Sequence, residues 1–472
     1  MMHKIFLIAI TAVFFAGCTV NKLPVKHDEL KLPDTYTGLT DSANAATLNW
    51  RLYYKDPLLI ALIDTALQHN QELQIVLQEI EISRNEVRAR KGEYLPFVHA
   101  GGGAGLEKPA RYSRFGALED NIEITPGTHF PEPLPDYSFG LRASWELDVW
   151  KRLRNARKAA ALRYLATQEG RNFMVTQLVS EIAESYYELL ALDNMMDIIN
   201  RNIEIQSQAL QVVRQQKDAA RVTQLAVNRF EAQLLNTKNL QYEVKQRIVE
   251  TENRINFLTG RYAGPVKRNS SAFFALTNDS IPSGIPSQLL QNRADIRQAE
   301  LELAASKLDV QSARALFFPQ VGITAGLGYQ AFNPSYLLRP ESVVYNLFGD
   351  LVAPLVNRNA IVAQLRSANA RQIQAAYRYE QTVLNAYTDV LNQLARLDNF
   401  SNSYALKSEE VDILSRSVNI ANNLFTFARA DYAEVLLTQR EALEARRDLI
   451  EVKLNQLQAR VGLYRALGGG WR

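Results

Sequence analysis

Two kinds of hydrophobic pattern alternate along the chain. Over Tyr137–Val149 the odd positions are Tyr137, Phe139, Leu141, Ala143, Trp145, Leu147 and Val149, and the even ones are Ser138, Gly140, Arg142, Ser144, Glu146 and Asp148. Over Val321–Gln330 the apolar set Val321, Ile323, Ala325, Leu327 and Tyr329 alternates with Gly322, Thr324, Gly326, Gly328 and Gln330. A period of two marks a strand with one apolar face and one polar or small face. Elsewhere the period is helical. Leu178, Ile182, Leu189, Leu192, Met196, Ile199 and Ile203 step by four and three, with Ser185 in the remaining slot. Val383, Tyr387, Val390, Leu394, Leu397 do the same, as do Ile450, Leu454, Leu457, Val461, Tyr464. Steps averaging 3.5 residues predict coiled-coil seams. No proline falls between Pro135 and Pro265, or after Pro354. Each region holds on the order of 100 helical residues; folded into a hairpin at ~1.5 Å per residue, it reaches roughly 75–100 Å. Turns are expected near Lys217–Val222 and Phe427–Tyr432.

These patterns occur twice. A shift of 223 aligns Leu67–Gly105 with Leu290–Gly328 without a gap, pairing Leu73/Ile296, Glu79/Glu302, Ser83/Ser306, Val87/Val310, Pro96/Pro319, Gly103/Gly326 and Gly105/Gly328. The hairpin turns align under a shift of 210, through Ala220/Ala430, Glu231/Glu441 and Ala232/Ala442. The period is far too long for a solenoid repeat, so the chain is an internal duplication. Repeat 1 is assigned to residues 57–260 and repeat 2 to 286–472, joined by a linker at 261–285. Each copy runs helix, strand pair, long helical hairpin. The helices cover about Pro57–Lys91 and about Pro286–Leu316, ending before Pro96 and Pro319 because proline biases its predecessor toward extended geometry. The strand pairs cover about 97–149 and about 320–353. Their connections differ: Leu106–Asp136 is long and carries five prolines, whereas the second, near Ala331–Glu341, is short.

The N-terminus is an address. His3 and Lys4 precede an apolar run from Ile5 to Phe15 and the small residues Ala16 and Gly17. An eleven-residue, mostly apolar run falls well short of the ~20 that a spanning helix needs, so residues 1–17 read as a signal peptide. Phe15-Ala16-Gly17-Cys18 resembles the bacterial lipobox, with Phe15 where that motif prefers Leu. Cleavage before Cys18 and acylation of the cysteine (palmitate included) would anchor residues 18–56, an extended segment, to a membrane. Thr19 rather than Asp follows, which favours the outer membrane of a Gram-negative cell. No other stretch has 18 consecutive apolar residues, so any further crossing must be a closed barrel. A soluble sandwich would show the same alternation; the address decides for the barrel, and long loops opposite short turns agree with it. Four strands cannot close. Two chains give 8 strands with a filled interior, and three give 12, wide enough for a lumen. The expected fold is therefore mainly α with a membrane β-barrel: four strands per chain contributing to a trimeric 12-stranded barrel, and long hairpins forming a periplasmic α-barrel.

Composition removes other functions. With 53 basic and 50 acidic residues the net charge is +3, which is no nucleic-acid footprint. The single cysteine excludes an internal disulfide and a cysteine zinc site. His3, His27, His69, His99 and His129 have no metal-ligand spacing. Gly101-Gly102-Gly103-Ala104-Gly105 opens no helix, so it is not a phosphate loop. No catalytic set, metal or cofactor is expected.

Four segments carry a family resemblance: Ile285-Pro286-Ser287 through Arg293-Ala294-Asp295-Ile296, Ala315-Leu316-Phe317-Phe318-Pro319, Ser144-Trp145-Glu146-Leu147-Asp148-Val149-Trp150, and Leu463-Tyr464-Arg465-Ala466-Leu467-Gly468-Gly469-Gly470-Trp471. Over nearly its whole length the chain resembles the outer membrane factor family, the TolC-type exit ducts of tripartite efflux pumps, in its lipoprotein branch. Ala294 departs from the family's usual Arg-Pro-Asp-Ile. The resemblance implies a homotrimer that docks to a periplasmic adaptor (membrane-fusion) protein and an inner-membrane efflux pump of the resistance-nodulation-division type. It also implies a passive route for drugs and toxic small molecules, closed at rest by the hairpin tips. The first tip carries Lys217, Asp218 and Arg221; the second carries Arg429, Asp431 and Glu434, with Glu434 where relatives place an aperture acid. Copies of one acid about an axis would attract cations; surface charge at a helix turn is the plainer alternative. A duct for type I protein secretion and a pore-free coiled-coil lipoprotein are the rival functions.

Overall fold

The computed structural model describes residues 23–24, 26, 32–36, 43–276, 282–356, 358–427 and 429–472. The expected signal peptide, residues 1–17, and Cys18 lie outside the described residues. Two compact units emerge. One gathers Glu81–Leu165 and Leu301–Tyr377, the other Ala166–Glu300, Arg378–Arg472 and the described part of Asp28–Ile80.

The first unit holds the strands: β1 (Phe97–Glu107), β2 (Leu134–Leu147), β3 (Gln320–Ala331) and β4 (Val343–Val352), in the order β1-β2-β3-β4. All neighbours are antiparallel. The register collects like residues into rows. One row crosses the sheet as Ala100, Leu141, Leu327 and Tyr345, and the next as Val98, Ala143, Ala325 and Leu347. The opposite face carries His99, Arg142, Gly326 and Asn346, then Gly101, Gly140, Gly328 and Val344. Gly140 and Gly328 face each other so closely that a Cβ on Gly140 would lie 2.6 Å from the Gly328 Cα. Any side chain there would push the two strands apart.

The connection between β1 and β2 is more ordered than a proline-rich loop suggests. It contains a helix, Arg114–Asn121, whose Gly116 amide is capped by the Ser113 hydroxyl at 3.3 Å, and a two-stranded ribbon, Glu123–Thr125 with Thr128–His129. Ser before a helical run and Pro126-Gly127 at a turn were the available signals.

The second unit is helical, and several of the helices continue into the residues of the first. Each helix expected in one piece is broken, and at equivalent positions. α1 (Pro57–His69) gives way at Asn70 to α2 (Gln71–Glu93). In the second copy a short turn, Leu289–Asn292, gives way at Arg293 to α3 (Ala294–Ala315). Asn70 and Arg293 are both extended, with ψ of 123° and 118°, and the first of the two sequence shifts superposes one on the other. The hairpins are α4 (Arg152–Asp218) with α5 (Gln224–Leu258), and α6 (Asn359–Thr426) with α7 (Tyr432–Ala466).

These boundaries correct the shift of 210. α5 and α7 both have 35 residues and start 208 apart, their N-caps Thr223 and Asp431 correspond, and Gly260 corresponds to Gly468. The matches at 210 were chance pairs of common residues. The fall from 223 to 208 has a location. Residues 108–133 between β1 and β2 number 26, residues 332–342 between β3 and β4 number 11, and the difference of 15 is the whole change in offset.

The core of this unit joins Leu59, Ile63 and Ala66 of α1 to Ile182, Leu189 and Ile199 of α4, Val383 and Val390 of α6, and Leu457 and Val461 of α7. Tyr53 stacks on Tyr464 at 4.0 Å, and the Tyr464 hydroxyl donates to the Leu48 carbonyl at 2.7 Å. The linker is pinned by Arg268, whose guanidinium donates to Asp193 on α4 at 2.8 Å and pairs with Glu252 on α5.

Candidate pore wall and hairpin tips

The sheet has the amphipathicity of a wall between lipid and water. On its apolar face Phe139 stacks on Tyr329 at 5.3 Å. In β2 and β3 the other face is mostly glycine, serine, threonine and charge, with Arg142 and Glu146 on it, whereas β4 brings Val344 and Phe348 beside Asn346 and Asp350. Aromatic groups collect at both ends. At one end Trp150 stacks on Phe318 at 4.7 Å and donates its indole N–H to the Pro319 carbonyl at 2.7 Å, while Trp145 donates to the Tyr94 carbonyl at 3.1 Å. At the other end Phe130 meets Phe332, which meets Tyr336, at 6.2 and 5.8 Å. Amphipathic rings flanking an apolar band suit the two borders of a membrane.

Among the described residues the sheet does not close. β1 and β4 have a neighbour on one side only, and every residue of both strands is exposed. Unpaired backbone amides and carbonyls at such an edge are intolerable in lipid. Because four antiparallel strands alternate in direction, β1 and β4 run oppositely. A further β1 laid on β4 would continue the antiparallel order.

The hairpin tips are the second candidate site. Both turns use the same closure: the Arg221 amide donates to the Gln216 carbonyl and the Arg429 amide to that of Leu424, each at 2.8 Å. In the first turn Ala220 takes φ of 56°, a left-handed conformation costing roughly 1–2 kcal/mol outside glycine. Lys217 and Asp218 end α4 and pair loosely, at 3.7 Å. Asp431 and Glu434 have the spacing of a capping box at the start of α7, yet the Asp431 side chain makes no capping bond. The carboxylates of Asp431 and Glu434 and the guanidinium groups of Arg221 and Arg429 form no ion pair among the described residues, and all four residues are exposed.

Within one chain the tips therefore meet through apolar contact. Phe425, Tyr432 and Leu436 of the second hairpin pack on a cluster of Leu210, Val213, Val227 and Phe230 in the first. The Arg229 guanidinium sits 6.0 Å from the Tyr432 ring centroid. Sequence reasoning, drawn to charge, missed Arg229, Phe425 and Tyr432; an aromatic pair flanking a turn was the available signal. No group of His, Cys, Asp and Glu suited to a metal ion occurs among the described residues.

The profile of the family described as outer membrane efflux protein matches residues 62–261 and 285–469. The chain is 25% identical to the probable outer membrane lipoprotein SilC of Salmonella typhimurium, over the full length of both. It is 27% identical to the cation efflux system protein CusC of Escherichia coli O6:H1, covering 98% of this chain and 97% of that one. Its fold matches the crystal structure of the open state of the Neisseria gonorrhoeae MtrE outer membrane channel with a TM-score of 0.83, at 23% identity, over 96% of this chain and 99% of that one.

Proposed function

The chain belongs to the outer membrane efflux protein family, and from that premise we propose that three copies form a passive exit duct for small molecules in a tripartite efflux system. The observation that carries this is the sheet: four strands, one apolar face and one that is small and polar across β2 and β3, and two open edges. Three copies, β1 of each on β4 of the next, make 12 antiparallel strands with no edge and leave a wet lumen lined by the glycine-rich face. The duct catalyses nothing. The energy for export comes from an inner-membrane pump reached through a periplasmic adaptor, and an acylated Cys18 tethers each subunit to the outer membrane. The name of CusC supports a small-solute cargo and that of SilC supports the lipid anchor.

The hairpin tips form the periplasmic aperture. Asp431 and Glu434 stand free at a helix start, so three copies could ring an axis and draw cations toward it. Lys217, Asp218, Arg221 and Arg429 supply the charges around them. Full-length lipidated protein should run as a trimer in detergent and conduct ions in a planar bilayer; monomers that carry no current would overturn the duct. Asp431→Lys with Glu434→Lys should raise single-channel conductance, and unchanged conductance would remove this pair from the aperture.

A further inference from the structure

Apart from His99, the four strands hold five ionisable acid or base side chains, Glu107, Asp136, Arg142, Glu146 and Asp350, and the register sets all five on the polar face. No lysine or arginine other than Arg142 occurs in them. Its surroundings on that face are bare. Gly326 lies opposite on β3, Gly140 is two residues back, and Gly328 faces Gly140. His99 is its neighbour on β1. Glu146, the nearest acid on the same strand, is roughly 13 Å away at ~3.3 Å per residue. That carboxylate already accepts from the Arg152 guanidinium at 3.1 and 2.6 Å. Arg142 itself is exposed and forms no ion pair among the described residues.

The internal duplication gives Arg142 a counterpart of opposite sign. The shift of 223 superposes His99 on Gly322, and the shift of 208 superposes Arg142 on Asp350. The strand pairing agrees, since His99 lies opposite Arg142 and Gly322 lies opposite Asp350. Gly322 makes room for that carboxylate: a Cβ there would lie 2.5 Å from an Asp350 oxygen. Asp350 too is exposed and forms no ion pair among the described residues. The two residues are two strands and two rows apart, roughly 16 Å at ordinary strand spacings. That exceeds the ~10 Å over which 0.1 M salt screens a charge, so in water each patch keeps its own sign.

We infer that Arg142 is an anion-recognising residue of the barrel lumen and Asp350 its cation-recognising counterpart. This rests on the trimeric duct proposed above. In the closed cylinder every second strand carries one of the two, and the signs alternate around the axis, β2 bearing Arg142 and β4 bearing Asp350. Strands tilted by about 45° and two apart are offset by roughly 10 Å along their length. That is most of the ~13 Å between the two rows, so the charges stand close to one level. The closed cylinder sets β1 beside β4, and β1 contains no lysine or arginine, so closure brings Asp350 neither of these partners. The Arg142 guanidinium is a planar fork that holds carboxylate or phosphate groups through two hydrogen bonds. Asp350 offers the matching acceptor for ammonium groups. The wall thus gives anionic and cationic solutes separate places to dwell, in a lumen whose other strand charges are all acidic.

Thiol reporters test the two patches in the full-length protein, in membranes. Cys18 is the sole native cysteine, and it is acylated under the proposed reading. Ser144→Cys puts a thiol on the polar face beside Arg142, and Val352→Cys puts one at the counterpart position beside Asp350. The probes are two methanethiosulfonates, one carrying a sulfonate and one a trimethylammonium group, each rate being taken relative to that on a free thiol. At 0.1 M salt Ser144→Cys should favour the anionic probe and Val352→Cys the cationic one. Arg142→Gln should lower the first preference at least about threefold, Asp350→Asn should do the same to the second, and Arg142→Lys should keep the first. Should Arg142→Gln fail to fold, salt decides, because the preference of Ser144→Cys must vanish near 1 M. A preference unmoved by Arg142→Gln, or by salt, would overturn the inference and leave the duct standing. Reporters that react with neither probe in folded protein would mean a dry face and overturn the duct itself.

Discussion

The two copies of the broken helix solve one geometric problem with different chemistry. In the first copy Asn70 accepts from the Leu73 amide at 2.9 Å, which caps α2, and donates to the Leu258 carbonyl at 3.0 Å, at the end of α5. In the second, the Arg293 guanidinium donates to the Ala466 carbonyl at 3.1 Å, at the end of α7, and holds Asp295 at 2.7 Å. A helix C-terminus leaves carbonyls without partners and carries partial negative charge, so an amide or a cation can satisfy it. Behind each clamp a glycine with positive φ ends the helix: Gly260 at 67° and Gly468 at 94°. The chain then turns back by the same bond, from the Arg261 amide to Asn256 and from the Gly469 amide to Tyr464. Duplication has kept the geometry and let the donor change. Glu72 occupies the place of Asp295 but has no guanidinium at residue 70 to meet.

The comparison makes the charged clamp the costlier one to lose. Arg293→Ala leaves the half-buried Asp295 carboxylate without its cation and the Ala466 carbonyl without this donor, and should lower stability by about 3 kcal/mol, read as the largest fall in the thermal midpoint of the protein. The terminating glycines come next. A Cβ on Gly260 would lie 2.4 Å from the His69 carbonyl oxygen, and one on Gly468 would lie 2.6 Å from that of Asn292. Either alanine variant should cost roughly 2 kcal/mol, and similar losses at both sites would confirm that the copies share one geometry. Asn70→Ala removes two hydrogen bonds and should cost about 1–2 kcal/mol; a loss equal to that of Arg293→Ala would break the distinction. Thr223→Ala is the smallest change. Thr223, like its counterpart Asp431, is an N-cap whose side chain caps nothing, so the midpoint should move by the equivalent of less than about 0.5 kcal/mol.

The strands were legible because alternation survives translation into rows: Leu141, Leu327 and Tyr345 share a face as the period of two requires. The seams of α4, α6 and α7 were legible for the same reason at a period of 3.5. The breaks were not, since apolar periodicity runs across Asn70 from Leu67 to Leu73 and an arginine gives no capping signal. Register at the hairpins was misread because common residues match by chance, whereas Gly260, Gly468 and the two N-caps reveal it only once helix ends are known. At the tips the six charged residues are where the turns were expected. The lack of ion-pair partners at Arg221, Arg429, Asp431 and Glu434 and the apolar contact of Phe425 and Tyr432 depend on how two hairpins lean together, which no local pattern encodes.

All of the length by which the first copy exceeds the second through its strand pair lies in the stretch from Lys108 to Pro133, and not one sheet row or helical turn is displaced by it. The chain can therefore grow there at no cost to its scaffold. In the proposed assembly three large and three small loops would alternate around the outer mouth, giving it a scalloped rim. That rim is where immune or phage pressure could reshape the protein freely, and where a foreign epitope could be displayed while the conduit beneath stays as it is.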